Sequence, residues 1–486
     1  MLTEQTKVKI GLEIHCQLTS LKTKLFCGCS ADYRGKPPNT HVCPVCLGLP
    51  GAMPVINKKA VEMALMVALA LNCKIAKTTF FARKNYFYPD LPKNFQISQY
   101  DLEGGEPLAS NGYITLTVNK TKKTVRIRRI HLEEDPGKLF HPGGIGVSSY
   151  TLIDYNRSGI ALVEIVTEPD FKSPIEARIF LQKLRSILEH LGVFDGGLEG
   201  AMRCDVNISV EGGGRIEIKN ISSFKDVERA LNYEIIRQKD LVKKGVKFGM
   251  ETRHWDEARR ITVTLRTKEE EQDYRYFVEP DLCPILIDEE WVERLKHEMP
   301  ELPDARKERF MREYGLPEYD SEVLVSERAL ADFFEECVKI YGKPKPVANW
   351  LMGDVLQCLH SLETSIDKCK VTPKHLAEML MLMDKGDISI KIAKKVLWEM
   401  MKTGKTALTI VEEKGWKRIT DIETLEKIVS KVFMENPKAV KDALIDEKAT
   451  HYLIGKTMEA TKGMADPNLT NQIIRKKLVE WKNKEA

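Results

Sequence analysis

The sequence has no long apolar run, no low-complexity tract and no excess of one charge sign. Its most apolar stretch, Ala60–Cys73, falls short of the ~20 residues that a membrane span needs and carries Glu62, so it reads as a buried core helix. The opening residues, MLTEQTKVKIGLEIH, lack a basic segment followed by an apolar one, and no signal peptide is expected. Lys and Arg number 75 against 71 Asp and Glu, a formal net charge of +4. That balance neither demands nor excludes a nucleic-acid partner, and an RNA-binding surface would have to be local. Three signatures are also missing: a G-x-x-x-x-G-K-S/T phosphate loop, a G-x-G-x-x-G after a strand, and a G-x-S-x-G nucleophile elbow. A nucleotide, if used, is held without a standard phosphate loop, and no nucleophile announces itself.

Cysteine, by contrast, is present and unevenly placed. There are 11, an odd number, most of them scattered singly (Cys73, Cys204, Cys283, Cys337, Cys358, Cys369). With no signal peptide, that pattern predicts a reducing, cytoplasmic setting and no disulfide framework. Four cluster as C-x-C and C-x-x-C: Cys27, Cys29, Cys43 and Cys46. Two short chelating pairs bring four soft ligands to one point at little cost in chain closure, which suits tetrahedral zinc. Gly35, Pro37 and Pro38 between the pairs are turn residues. A redox pair or metal-free thiols are the alternatives, and Cys16 and His41 are nearby substitute ligands. Four thiolates leave no open coordination position, so a zinc here is expected to be structural.

The length, 486 residues, suggests about three domains at ~150 residues each. Strand patterns dominate from Lys7 to about Leu286. In VKIGLEIHCQL, Val8, Ile10, Leu12 and Ile14 face one side and Lys9, Gly11, Glu13 and His15 the other. YITLTVN, KTVRIRRIHLEED, ALVEIVTE, MRCDVNISV, RIEIKNI and RITVTLRTK are further strands, with Gly212–Gly214 as a hairpin turn. Helices are predicted at about Pro174–Leu191 and Asp226–Lys244. From Glu289 onward helices dominate. Thr372, Pro373 and Gly386 bracket one of them, and Thr420 with Glu423 is spaced as a capping box for another.

Several polar residues stand where a purely structural sheet has little use for them. Glu13 and His15 share one strand face, and HLEEDPGK ends another strand in an acidic triplet. Carboxylates with an imidazole suit a hard cation such as magnesium, which uses a few carboxylates alongside substrate phosphates. Arg203, Asp205 and Asn207 share a strand face, as do Glu217 and Lys219. DYRYFVEPD gathers Asp273, Arg275, Glu279 and Asp281 around aromatics, and RKNYFYPDLPKNFQISQYD reads as an ordered loop lining a site. Each alone fits a solvated face; together they describe a sheet with one charged face.

GLEIHCQL, RKNYFYPDLPKNFQISQYD, HLEEDPGK, DYNRSGIALVEIVTEPD, RCDVNIS, EIKNISSF and DYRYFVEPD stand in the order and spacing of one family. The chain resembles the B subunits of the tRNA-dependent amidotransferases that act on Glu-tRNA(Gln) and Asp-tRNA(Asn). The likeness continues through ELPDARKERF, NWLMGDV and KIAKKV to TKGMADPNLTNQIIRKKL, covering essentially the whole chain. It implies an α+β chain: a mixed β-sheet "cradle" over 1–290, a helical domain over 291–405, and a helical tail over 406–486 that meets the tRNA body. It implies ATP, magnesium, a partnership with a glutaminase A subunit and a small C subunit in a heterotrimer, and no membrane. The magnesium ligands of the family fall on Glu13, His15, Glu133 and Glu134. Asp205, Asn207, Glu217, Lys219, Asp273 and Arg275 are expected to complete the pocket. The cysteine quartet is variable in the family and is not needed for the shared chemistry. In the tail, 15 Lys/Arg stand against 13 Asp/Glu, so charge alone does not point to RNA. An E-type paralogue needs an inserted domain for which this length leaves no room. A non-enzymatic zinc-containing RNA-binding protein would leave Glu13, His15, Glu133 and Glu134 unexplained.

Overall fold

Strand β1 (Val8–Gln17) lies at the middle of a nine-stranded sheet. The other strands are β2 (Lys74–Ile75), β3 (Ala109–Val118), β4 (Thr121–Glu134), β5 (Ala161–Thr167), β6 (Met202–Val210), β7 (Ile216–Ile221), β8 (Met250–Asp256) and β9 (Ile261–Lys268). Their order is β9-β8-β7-β6-β1-β5-β4-β3-β2. All neighbours are antiparallel except β7 and β8, so the sheet is mixed. The computed structural model describes residues 7–99, 106–143, 148–268, 274–419, 421–461 and 463–485.

The two-residue period of β1 decides which of its side chains are buried in the core. Ile10, Leu12, Ile14 and Cys16 lie on the buried face, where Val163 and Ile165 of β5 and Cys204, Val206 and Ile208 of β6 join them. Helices α1 (Lys58–Ala70), α2 (Pro174–His190) and α3 (Phe224–Lys243) supply the rest of this core. The apolar stretch Ala60–Cys73 is thus mostly a core helix, capped by the Asn57 side chain on the amides of Lys59 and Ala60. No helix among the described residues is long and apolar enough to cross a membrane. The β6–β7 hairpin turns at Gly212–Gly214, as its glycines predict. Gly212 has φ +87°, and a Cβ on Gly214 would lie 2.3 Å from the Gly249 carbonyl.

Strands Ala82–Asn85, Phe95–Ser98 and Phe277–Val278 form a smaller sheet. Arg83 holds it to the following chain: Nε and an Nη donate to the Glu279 carboxylate at 2.7 and 2.8 Å, and the guanidinium stacks on Phe95. Glu279 is buried, so Arg83→Ala strands a carboxylate without its partner. We expect a loss of about 3–5 kcal/mol in urea unfolding of this unit, with Arg83→Lys between the two. A loss below ~1 kcal/mol would mean that water satisfies Glu279 instead.

The chain divides into two compact units, 1–306 and 307–486. The first contains helix α4 (Glu289–Glu298), whose Leu295 is buried in the sheet unit's core. The second is helical, so the whole is α+β. It has two apolar clusters, one from Phe310 to Val411 and one from Leu425 to Leu478. Helix Pro373–Asp384 starts on the Thr372 cap, as the sequence predicts, and the pairing residue of its capping box is His375. Helix Ile422–Glu435 is capped by Asp421, which accepts from the Thr424 amide; Thr420 lies outside the described residues. The NWLMGDV segment forms one π turn, Leu351–Val355, within a helical run.

Candidate active site

The face of the sheet opposite the helices carries the charges. Register explains how. His15 on β1 stands opposite Glu164 on β5 and Arg203 on β6, and Glu164 stands opposite His131 on β4. Directly opposed residues point to the same face, so Arg203, His15, Glu164 and His131 form one row across four strands. Glu13, opposite Asp205, and Glu133 flank that row.

His15 Nε2 lies 3.4 Å from Glu164, 3.6 Å from Glu13 and 3.8 Å from Glu133. His131 Nε2 lies 3.3 Å from Glu164 and 3.8 Å from Glu133. Ligand atoms of Glu13, His15 and Glu164 all lie within 4.8 Å of one another, as do those of His131, Glu133 and Glu164. Burial makes these charges interact strongly. Burial pulls the His131 imidazole towards neutrality, but Glu164 and Glu133 outweigh it and push its pKa up to about 9. His15 also rises: burial and the nearby Arg203 oppose its charge, but the Glu164 hydrogen bond and the Glu164 and Glu133 charges together outweigh them. The Glu164 carboxyl falls well below its ordinary range because the two imidazoles outweigh its burial. Glu13 moves the other way: burial and the Glu164 charge raise it, outweighing His15 and Lys219. The Nδ1 atoms of both histidines are buried with no hydrogen-bond partner among the described residues.

Lys84 completes the cluster from the smaller sheet. Its ammonium sits 5.0 Å from the Tyr274 ring centre and 6.0 Å from that of Tyr86. Burial opposes its charge, and Glu133, Tyr276 and Glu164 outweigh that to raise its pKa. On the other flank Lys219 bridges Asp205 at 2.8 Å and Glu217 at 2.6 Å, so those three expected pocket residues do meet beside Glu13. Asn207 stands opposite Glu217 in the same strand pair.

Other expected residues lie elsewhere. Glu134 follows Glu133 on a strand, so it points to the opposite face. There it accepts from Lys93 at 2.5 Å and from the Ile97 amide at 2.9 Å, and it does not join the Glu13–His15 cluster. Arg275 is exposed at φ +47°, its carbonyl accepting from Asn85. Asp273 lies outside the described residues.

The four clustered cysteines converge. The sulfurs of Cys27, Cys29, Cys43 and Cys46 lie within 4.8 Å of one another, and they share no residue with the carboxylate cluster. Cys16 and His41 are not in the group. The Cys46 thiol is brought down to about 4, against its burial, by the Cys27 hydrogen bond first and then by the Cys43 amide and Lys24. Lys24 is fully buried. Its ammonium donates to the His41 carbonyl at 2.8 Å and lies 3.6 Å from Cys46 Sγ.

Comparison with known proteins is consistent along the chain. Residues 8–293 match the model for the GatB/GatE catalytic domain, and residues 332–478 match that for the GatB domain. A protein of Saccharolobus solfataricus is 54% identical over 97% of this chain and 99% of its own length. One of Thermotoga maritima is 53% identical over 96% of this chain and 98% of its own, and one of Carboxydothermus hydrogenoformans 50% over 97% and 98%. All three are named as the B subunit of aspartyl/glutamyl-tRNA(Asn/Gln) amidotransferase. The chain belongs to this family of amidotransferase B subunits. In this family member, motif reading missed Glu164, His131 and Lys84. Glu164 had a signal of its own: it is the one acid inside the apolar run ALVEIVT. Lys84 had none, because its place over the cluster depends on how two sheets meet.

Proposed function

We propose that this chain is the B subunit of an aspartyl/glutamyl-tRNA(Asn/Gln) amidotransferase and that the charged sheet face is its phosphoryl-transfer and amidation site. The observation that carries the reading is the cluster of Glu13, His15, Glu164, Glu133 and His131, built from strands of different sequence neighbourhoods, with all but Glu13 buried. A non-catalytic RNA-binding protein has no use for such a cluster.

The donor set fits a hard divalent cation. Glu164 belongs to two close groups of ligand atoms, one with Glu13 and His15 and one with His131 and Glu133, and burial together with the Glu164 charge raises the Glu13 carboxyl, a charge cost that a cation would relieve. Glu13, Glu133 and Glu164 would hold it, with His15 and His131 as imidazole neighbours; Glu134 is on the wrong face. When bound, magnesium offsets charge on the phosphates of ATP and on the transferred phosphoryl group. The chain's own residues do the rest. A carboxylate oxygen of the misacylated Glu-tRNA(Gln) or Asp-tRNA(Asn) attacks the γ-phosphorus, ADP leaves, and an acyl phosphate forms. Ammonia then attacks the acyl carbon and phosphate leaves, giving the amide. Lys84 beside the cluster and Arg203 at the end of the row are fixed cations, placed to stabilise negative charge during both displacements. Ammonia comes from a glutaminase A subunit, joined by a small C subunit, and the tail over 406–486 meets the tRNA body.

The cysteine cluster fits structural zinc: four sulfurs, no open position, and a buried ammonium against one of them. The deciding experiment is amidation of both misacylated tRNAs by the chain assembled with its A and C subunits. Glutamine, ATP and magnesium should all be required, with ADP released for each amide formed. Absence of amide product from both tRNAs would end this reading.

A further inference from the structure

The loop between the two cysteine pairs reaches the charged face at the end of β1. Arg34 donates to Gln17 Oε1, the Tyr33 hydroxyl lies 3.3 Å from the same amide group, and the Arg34 guanidinium stacks on Tyr33 at 4.8 Å. Gln17 in turn donates to Asp135 Oδ2 at 2.5 Å. Asp135 is fully buried and is a hub. Arg203 donates to its Oδ1 at 3.0 Å, and Arg157 Nε lies 3.8 Å from Oδ2. Arg157 also donates to the carbonyls of Pro136 and Gly137.

Two guanidiniums, of Arg157 and Arg203, therefore meet one buried carboxylate, and that of Arg34 joins them through the Gln17 amide. Asp90, whose Oδ1 is buried with no partner among the described residues, lies near Arg157 and Arg203, and Glu133 and Asp205 act on Arg203 from the sheet face. The bonds described occupy one or two of the five N–H donors of each guanidinium. Arg157 and Arg203 are only 23% and 20% exposed, so little water competes for the remaining donors. The planar fork of a guanidinium matches two oxygens of a phosphate. Arg203 stands directly opposite His15, so it links these guanidiniums to the charged row.

The cysteine loop is fastened to the same patch a second time. Asn39 bonds Asp154, Ile153 and Tyr155, Asn156 accepts from the His41 amide and donates to Pro37, and Ser158 donates to the Cys46 carbonyl. The segment thus held, 153–158, carries Arg157 and runs on into β5 with Glu164. We propose that Arg34, Arg157 and Arg203 form a phosphate-binding site at the Gln17 end of β1, and that the four-cysteine loop is the element that holds Arg34 and the Arg157 segment in it. The phosphate is either one of the ATP triphosphate or a backbone phosphate of the tRNA acceptor end. The inference rests on the reading of the charged face as the phosphoryl-transfer site and adds to it a role for the cysteine loop.

The test is equilibrium binding to the full chain in its assembled complex, with two probes: a non-hydrolysable ATP analogue with magnesium, and an uncharged acceptor-stem minihelix ending in CCA. Arg34→Gln should weaken one probe about tenfold, the loss of one charge-assisted fork. Which probe is weakened identifies the source of the phosphate. Arg34→Lys should recover part of the loss. Cys43→Ser/Cys46→Ser should weaken the same probe to a similar extent. Adding Arg34→Gln to that variant should bring no further loss, because both changes remove the same contact. Unchanged affinity for both probes in Arg34→Gln overturns the site. Full affinity in the cysteine variant, with Arg34→Gln weakened, overturns the role of the loop. A wild-type complex that binds neither probe overturns the phosphoryl-transfer reading as well.

Discussion

Glu164→Gln should leave a folded chain that has lost magnesium-dependent ATP hydrolysis by more than the ~100-fold that removal of an outer partner of a metal site costs. Glutamine keeps the volume and one acceptor oxygen, so the packing of β5 between β1 and β4 should survive. What goes is the charge that both imidazoles face, at 3.4 Å from His15 and 3.3 Å from His131. The consequences spread beyond the carboxylate itself. Glu164 is the leading cause holding the His131 pKa up, so its loss returns that imidazole towards neutrality. In chelator-treated wild type, His131 binds its proton more tightly folded than unfolded. Its contribution to stability is therefore complete below about pH 6.5 and is lost as the pH rises through about 9. The melting temperature of the metal-free wild type should fall across that window, and that of Glu164→Gln should fall less. ADP release at saturating magnesium checks the first claim and melting profiles at several pH values check the second. Turnover within about threefold of wild type, a difference of under ~1 kcal/mol in the barrier, would remove Glu164 from the metal site and leave Glu13 and Glu133 to carry it.

How much of this arrangement the sequence shows depends on which contacts are local. β1 was legible in full, because its apolar residues alternate strictly, and alternation put Glu13 and His15 on one face before any neighbour was known. The hairpin at Gly212–Gly214 was legible in its glycines, and strand parity put Asp205 on one strand face and Glu217 with Lys219 on another. Parity also bears on the one expected ligand that the fold does not bring to the row. Consecutive strand residues point to opposite faces, so Glu133 and Glu134 could not both face His15 while β4 stayed regular, and the structure shows β4 regular to Glu134. The row itself was not legible. Its members come from β1, β4, β5 and β6, whose order in the sheet is not their order in the chain, and only register brings His131 to Glu164. The same holds for the hub at Asp135. Gln17, Arg34, Arg157 and Arg203 are far apart in sequence and none of them is unusual where it stands.

Loss of the cysteine cluster should show first in stability, and unequally among its members. Each single Cys→Ser change removes one of four sulfurs and should release zinc from the purified chain. Cys46→Ser does more, because Cys46 is also the sulfur against which the Lys24 ammonium is buried. That ammonium is left with the His41 carbonyl as its described acceptor. A buried charge deprived of its partner costs about 3–5 kcal/mol, whereas Cys43 faces no such cation. Cys46→Ser should therefore unfold at lower temperature than Cys43→Ser although both lack zinc. Lys24→Met should narrow the gap, since it takes away the charge that Cys46 balances and keeps an apolar stem of similar length. Metal content, with thermal unfolding of the two single variants and of each combined with Lys24→Met, makes the comparison. Equal melting temperatures for the two serine variants would show that Lys24 is not bound energetically to Cys46. Unchanged stability with ATP hydrolysis abolished would show instead that the metal takes part in the reaction. The expected order, with Cys46→Ser lowest, would tie the cysteines to the fold through a buried cation. It would also place the stability of the loop carrying Arg34 in the charge balance between one thiolate and one ammonium.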